Sequence, residues 1–409
     1  MKKSKKNKKV VEKICLLTII IVVVLIVIYS ILVKSIKIKV NDKEINLNDT
    51  YKEEVKGYFL GKDISENIKK TGSVNTSKSG TYKIKYELKY LLFKKSKTIE
   101  VVVKDTIKPV LTLNDKEIEI YVVNTEYKEQ GYTALDNVDG DITKKVKVDK
   151  SNLDIKKPGT YRIKYTVKDS SGNTASAERQ VVYENPNTKG ISVVNYHFFY
   201  NPKTEACNED ICERDDDFRS HLKYLKDNNY KTLTIREFRD WMYGKIEIPE
   251  KSVLITVDDG AKGTGKHNGD NLNTILKEYK MHATLFLVTG WWDIENYKSD
   301  YLDIESHTND MHTGGLCSKF RGAKILCSSN EYVMNDLKKS IEITKSKIAF
   351  CYPFYAYNET STKQVKQAGF ELAFIGGEKK VTKDTDKWHI PRYPITKAMT
   401  LDDFIKIVN

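Results

Sequence analysis

The chain is 409 residues long, with 40% hydrophobic residues and only 8 Pro and 21 Gly. That is neither a disordered nor a collagen-like composition, and it holds enough apolar material for two to four cored domains. The 69 Lys and Arg against 56 Asp and Glu leave a formal charge of +13, but its distribution argues against a nucleic-acid partner. Of that charge, +6 lies in 1–13, +8 in 34–104 and −1 in 105–188, and the largest globular region, from Lys189 onward, is neutral overall. A nucleic-acid surface would concentrate the excess on that region.

In chain order, a basic tail at 1–13 is followed by Ile14 to Val33, twenty residues without a charge or a proline. At about 1.5 Å per residue this run spans roughly 30 Å, the thickness of a bilayer core. A cleaved signal peptide would have a shorter apolar run and a small-residue cleavage site, and none is visible, so a retained anchor at 14–33 is expected. Seven lysines before the span outweigh Lys34, Lys37 and Lys39 after it, which predicts a cytoplasmic N-terminus and an extracellular bulk. In that compartment, local disulfides Cys207–Cys212 and Cys317–Cys327 are chemically sensible. Cys15 falls in the anchor, Cys351 stands alone, and an alternative in which all these thiols are unpaired stays open.

Next along the chain is a repeat. Gly80-Thr81-Tyr82-Lys83-Ile84-Lys85-Tyr86 recurs as Gly159-Thr160-Tyr161-Arg162-Ile163-Lys164-Tyr165, 79 residues on. Both copies alternate residue types at period two and are succeeded by a second strand-like run, Thr98 to Val103 and Glu178 to Tyr183, as in β-sandwich modules. With Asp105-Thr106, Pro109, Asp136-Asn137-Val138-Asp139-Gly140-Asp141 and Asp169-Ser170-Ser171-Gly172-Asn173, the second copy resembles bacterial immunoglobulin-like surface domains. The resemblance implies two all-β spacers, at 34–104 and 105–185, that hold the C-terminal region away from the membrane. Asp136, Asp139 and Asp141 suit either calcium or Asx-type turns, and the turn reading is preferred.

All seven histidines and all four tryptophans lie beyond residue 196. There Ser252 to Val257 is an apolar strand ending in Asp258-Asp259-Gly260, and paired carboxylates at a buried strand end are costly unless a cation or a reaction uses them. Gly260 to Lys266 matches GxxxxGK, but His267 stands where a P-loop needs Ser or Thr for magnesium, so no nucleotide is expected. The glycines are read as a loop into a helix near Asp270 to Lys280. Asp303 to Ser306 is another short strand, leading into His307 and His312. Five residues correspond to about 140° around a helix axis, so these two histidines share a metal only if a turn brings them together. With a strand-end aspartate they make a His/His/Asp set, which suits a catalytic divalent ion.

Thr256-Val257-Asp258-Asp259-Gly260, His307 to His312 and Cys351-Tyr352-Pro353-Phe354-Tyr355 resemble, in that order, three motifs of the polysaccharide deacetylases. These are the NodB-homology domains of carbohydrate esterase family four. Val257 replaces the usual aromatic, the histidines are five rather than four apart, the third motif lacks its arginine, and no histidine comes after His389 to form the late motif. Tyr196-His197 near the domain start, with the five-apart histidines, is similar to the permuted branch that acts on poly-N-acetylglucosamine.

The resemblance implies a deformed (β/α) barrel over 189–409 and a multidomain chain overall. It further implies that Asp259, His307 and His312 bind a divalent metal, zinc by default with cobalt, nickel or iron as alternatives. Asp258 would be the general base and His197 the general acid. Arg392 would orient Asp258, and Tyr352, Pro353, Phe354, Tyr355 and Trp388 would form the oxyanion and substrate surface. Trp291 and Trp292 are read either as cleft walls or as packing. The expected function is metal-dependent N-deacetylation of N-acetylglucosamine in an exopolysaccharide or in peptidoglycan. A non-catalytic wall-binding protein with a degenerate deacetylase domain is the alternative, and esterase action on O-acetylated glycans would use the same site.

Overall fold

A computed structural model describes residues 2–114, 118–260, 271–313 and 323–409. Residues 261–266 of the GxxxxGK match, the following His267, and Cys317 lie outside the described residues. The described chain divides into two compact units, one of Met1–Thr112, Tyr132–Lys147 and Tyr165–Ala177, the other of Leu113–Gly131, Val148–Lys164 and Glu178–Asn409.

The first unit opens with helix Lys2–Ser35, in which Asn7–Ser35 is long and apolar enough to cross a membrane by length and composition. Two small sheets come next. One orders Lys37–Lys39, Lys56–Phe59 and Lys62–Asp63; the other orders Lys43–Asn46, Phe93–Lys104, Gly80–Tyr90 and Ile68–Thr71. Period-two alternation decides which side chains turn inward. Ile84, Tyr86 and Leu88 are buried while Lys83, Lys85 and Glu87 are not. The repeat positions 79 residues on, Ile163, Tyr165 and Val167, are buried in the same way.

A four-stranded sheet, whose strands contribute residues to both units, orders Lys147–Asp149, Gly159–Lys168, Thr174–Glu184 and Ile118–Val122. The second unit also holds a parallel sheet of seven strands in sequence of pairing. They are Leu372–Phe374, Ala349–Cys351, Leu302–Ser306, Ala283–Leu287, Ser252–Asp259, Ser192–Tyr196 and Tyr393–Pro394, and Lys231–Thr232 pairs on the early part of Ser252–Asp259. The central strand is buried along its whole length, as expected for a parallel strand covered on both faces. Ile390 bridges Phe374 at one edge while Tyr393 and Pro394 pair with Val194 and Asn195 at the other. Residues 390–394 thus form a seam that curls the sheet into the expected barrel.

Helices cover this sheet. Asp215–Asp227 buries Phe218, Leu222 and Leu225, and Ile235–Met242, started by a Thr234/Glu237 capping box, buries Phe238 and Trp241. The helix expected near 270–280 is Asn271–Tyr279. Cys207 and Cys212 form a disulfide, Cys327 is also disulfide-bonded, and among the described residues Cys15 and Cys351 are free.

Two buried carboxyl groups brace the chain on either side of His307. Glu305 accepts from Ser346 Oγ (2.6 Å) and from the Ala349 amide (3.0 Å), and burial pushes its carboxyl up to about 8. Asp336 takes the amides of Asn309 (2.8 Å) and Asp310 (2.6 Å) on its two oxygens. From the opposite side, the Thr289 and Gly290 amides donate to the carbonyls of Thr308 (3.1 Å) and Asn309 (2.8 Å). A Cβ at Gly290 would stand 2.3 Å from the Asn309 carbonyl oxygen, so glycine permits this approach.

Both carboxyl braces have measurable consequences. Glu305 stays protonated in the fold at pH values where the unfolded chain has ionised it, so its contribution to stability falls as pH rises from about 4.5 to about 8. The melting temperature of Glu305→Gln relative to the natural chain should therefore rise across that window; a constant difference would contradict the assignment. Asp336→Ala strands the buried Asn309 amide and the partly buried Asp310 amide and should cost about 2–4 kcal/mol, with Asp336→Asn costing less. Urea unfolding followed by tryptophan fluorescence measures this, because all four tryptophans lie in the barrel region.

Candidate active site

Strand Ser252–Asp259 delivers two carboxylates to the same end of the barrel. Asp258 is gripped by Arg392, whose two terminal nitrogens each donate to one carboxylate oxygen at 2.7 Å. Asn195 Nδ2 adds a third hydrogen bond at 3.1 Å. Burial alone would raise the Asp258 carboxyl, but the Arg392 guanidinium, with His307 nearby, holds it well below the usual carboxylate range. Arg392 is fully buried, donates also to Asn195 Oδ1 (2.9 Å) and Thr256 Oγ1 (3.3 Å), and lies over the rings of Phe286, Tyr355 and Phe374.

Successive side chains of a regular strand point to opposite faces, yet Asp258 and Asp259 both reach the site. The alternation breaks at Asp259, which has φ 75°. Its Oδ1 lies 3.3 Å from His307 Nε2 and 3.1 Å from His312 Nε2, and it is buried without an aligned hydrogen-bond partner among the described residues. The His307 ring is fixed by its Nδ1, which donates to the Cys351 carbonyl oxygen (2.8 Å), so Nε2 is the ring nitrogen turned to Asp259.

Thr308, at φ 73°, starts the turn that brings His312 back, and the two imidazole centroids are 4.7 Å apart. The convergence that a helix would forbid is made by this turn. Burial, and then the neighbouring His307, push His312 down to about 4. Asp259 is held below the usual carboxylate range by the same histidines, against the opposing effect of its own burial.

Asp259, His307 and His312 offer one oxygen and two nitrogens within 4.8 Å of one another. An orphaned buried carboxylate oxygen facing two imidazole nitrogens fits a divalent cation of the zinc, cobalt, nickel or iron kind. Asp258, His307 and Cys351 also cluster. That set is the poorer one, because Arg392 occupies Asp258 and burial pushes the Cys351 thiol up.

His197 comes directly after strand Ser192–Tyr196 and stands with Nε2 3.9 Å from Asp258 Oδ2. Burial lowers its imidazole, partly offset by the Asp258 and Asp259 carboxylates. Residues 352–355 lie beside this group but face different ways. Tyr352 is buried, with its amide donating to the Phe374 carbonyl oxygen (3.2 Å), and Pro353 is also buried. Phe354 is 42% exposed with its ring centroid 4.4 Å from that of His312, whereas Tyr355 packs over Arg392 and accepts from Asn195 Nδ2 (2.8 Å).

Trp291, 44% exposed, stands edge-on to His312 with centroids 5.3 Å apart, while Trp292 packs on the barrel core. Trp388 packs on the cluster of Met311, Phe350 and Tyr352 with Lys366 Nζ 4.9 Å over its ring. His389 is tied to Asp386 and Thr362.

Asn195, Thr256, Tyr355 and Asp336 hold this arrangement through contacts between distant segments. Asn195 sits two residues before His197 at a strand end, which is the one sequence signal for it; Asp336, on a helix 24 residues after His312, carries none.

A polysaccharide deacetylase family model matches residues 245–373, and a bacterial surface protein Ig-like domain model matches 39–96 and 111–182. The chain is 30% identical over 222 residues to a poly-beta-1,6-N-acetyl-D-glucosamine N-deacetylase of Staphylococcus aureus, covering 49% of this chain and 73% of that one. It is 32% identical over 198 residues to the protein of the same name from Staphylococcus epidermidis, covering 44% and 66%. The IcaB structure from Ammonifex degensii aligns with 54% of this chain and 96% of its own at 20% identity and a TM-score of 0.45. With bacterial Ig-like surface modules ahead of its barrel, the chain belongs to the polysaccharide deacetylase family, and it is a hydrolase acting on amide bonds.

Proposed function

We propose that the chain is a membrane-anchored N-deacetylase of an N-acetylglucosamine glycan outside the cell, with Asp259, His307 and His312 holding a zinc ion. The observation that carries the metal assignment is the buried Asp259 Oδ1, with two imidazole nitrogens 3.1 and 3.3 Å away and no aligned hydrogen bond among the described residues. When bound, such an ion supplies a Lewis acid and brings the pKa of water towards about 7.

The chain's own groups have distinct tasks. Asp258, ionised and fixed in direction by Arg392, accepts a proton from the water that attacks the acetamide carbonyl. His197, beside Asp258, delivers a proton to the departing amine. Of the Tyr352–Phe354 amides, Tyr352's is used by Phe374 and Pro353 has none, which makes the Phe354 N–H the donor for the developing oxyanion. The exposed rings of Phe354 and Trp291 flank His312 and give a sugar ring an apolar wall. Trp388, packed against the core, serves the site by supporting Tyr352.

The N-terminal helix acts as a retained anchor with its lysine-rich end in the cytoplasm, and the Ig-like modules space the barrel from the bilayer. The relatives' names make poly-β-1,6-linked N-acetylglucosamine the first substrate to test, with peptidoglycan second. The intact set of Asp258, Asp259, His307 and His312 weighs against a purely wall-binding protein.

The test is acetate release from poly-β-1,6-N-acetylglucosamine, chitooligosaccharide and peptidoglycan by the metal-loaded chain. We expect turnover that a chelator abolishes and zinc restores; no acetate from any of the three would overturn the reading. Asp258→Asn should retain bound metal and lose about 10²- to 10⁴-fold in kcat, and His197→Ala should lose a similar factor. Asp259→Ala and His307→Ala should lose the metal itself, measured by elemental analysis. Full activity in Asp258→Asn would exclude it as the base.

A further inference from the structure

A second carboxylate cluster lies in the first unit and shares no residue with those assigned to deacetylation. Asp105 comes directly after strand Phe93–Lys104, Asp136 ends strand Tyr132–Asp136, and Asp169 comes directly after strand Gly159–Lys168. Three segments well separated in sequence thus each end in an aspartate. The three are only 5%, 8% and 6% exposed, and one oxygen from each lies within 4.8 Å of the others.

Hydrogen bonds use only part of this oxygen set. Asp105 Oδ1 accepts from the Ile107 amide (3.1 Å), and Asp136 Oδ1 accepts from the amides of Val138 (2.9 Å) and Asp139 (2.8 Å). Asp169 accepts from the amide and the Nδ2 of Asn173, both at 2.8 Å. Oδ2 of Asp105 and Oδ2 of Asp136 are buried and accept no hydrogen bond among the described residues. No ion pair to Lys, Arg or His is formed by any of the three among those residues. Two orphaned carboxylate oxygens in a buried cluster of three like charges are expensive unless a cation or protons neutralise them.

We propose that Asp105, Asp136 and Asp169 bind a calcium ion. The donors are all carboxylate oxygens, the preference of a hard cation. Ca–O distances of about 2.3–2.6 Å put two oxygens on opposite sides of one ion at most about 4.6–5.2 Å apart, which accommodates the observed span. The site differs from the one the local sequence run suggests. Asp139 turns away, to Lys145 (3.1 Å) and to the amide and hydroxyl of Ser170 (2.7 and 2.6 Å), and Asp141 caps the Thr143 amide (2.9 Å). Only Asp136 of that run turns inward.

Bound there, the ion ties the connector leaving the first Ig-like module to two loops of the second. It makes the stiffness of that junction depend on calcium. Affinity in the range of about 10⁻⁴–10⁻³ M, typical of extracellular modules, suffices for this role.

The experiment uses the full chain in detergent with its deacetylase site saturated with zinc. Radioactive calcium in equilibrium dialysis counts bound ions, and circular dichroism monitors melting of the β modules. We expect one calcium per chain, a higher melting temperature with calcium, and affinity reduced at least about tenfold in Asp136→Asn and in Asp105→Asn. Acetate release should be unchanged in both variants, and Asp139→Asn should bind calcium normally. Absence of binding to the natural chain at about 10 mM calcium, ten times the weak end of the extracellular range, would overturn the proposal. So would natural affinity in both inward variants, or a loss confined to Asp139→Asn.

Discussion

The buried pair of Asp258 and Arg392 is the interaction on which the barrel and its chemistry both depend. Both side chains are essentially excluded from solvent, and their two parallel hydrogen bonds of 2.7 Å join the central strand to the seam at 390–394. Removing such charges from water costs several kcal/mol each, repaid only when geometry is good and the remaining donors are satisfied. Here Asn195, Thr256 and Cys351 take up donors of Arg392, and three aromatic rings surround its guanidinium. The pair therefore forms only when the two edges of the sheet meet, and the meeting of those edges keeps Asp258 ionised and aimed.

The site's geometry is held by backbone conformations that side-chain-bearing residues rarely adopt. Asp259 (φ 75°), Thr308 (φ 73°), Phe354 (φ 56°) and Tyr355 (φ 57°) all have positive φ, at a cost of order 1–3 kcal/mol each. Each has a visible consequence. Asp259 turns its carboxylate to the side of Asp258, Thr308 begins the turn that pairs the histidines, and Phe354 and Tyr355 send one ring to the rim and the other under Arg392. Asp336 and the Thr289–Gly290 amides supply hydrogen bonds that hold the Thr308 turn in place.

The formal charge of +13 is unevenly placed along the chain. The excess belongs to the tail before the apolar helix and to the first Ig-like module, while the barrel is neutral overall and works through a few buried charges with fixed partners. Surface ion pairs in the modules, such as Lys83–Glu100 at 3.4 Å, are exposed and contribute little. The buried Ile84, Tyr86 and Leu88 and their counterparts Ile163, Tyr165 and Val167 are what make the repeat a fold.

Much is legible in order along the chain, because it rests on local periodicity and short motifs. The apolar helix, the 79-residue repeat, the buried strand ending in Asp258-Asp259 and the histidine pair each declare themselves within a dozen residues. Arg392 as the partner of Asp258 could be guessed from a missing arginine, but its 134-residue separation gives no local signal. Separation in sequence likewise hides Asn195, 63 residues from Asp258, and Asp336, 27 residues from Asn309, and it hides the place of Tyr355 beneath Arg392. The aspartate run 136–141 reads locally as a turn, and Asp136 Oδ1, on the Val138 and Asp139 amides, and Asp141, on the Thr143 amide, do close local turns, whereas Asp139 reaches Ser170, 31 residues on. Asp136 also meets Asp105 and Asp169, because strand ends far apart in sequence converge only after the sheets form. The sequence by itself thus determined the element types, the family and the identity of the metal-capable residues, all of which depend on neighbours in the chain. Tertiary structure alone decided which carboxylate is clamped and which is left orphaned, because burial and pairing are properties of segments that meet only on folding.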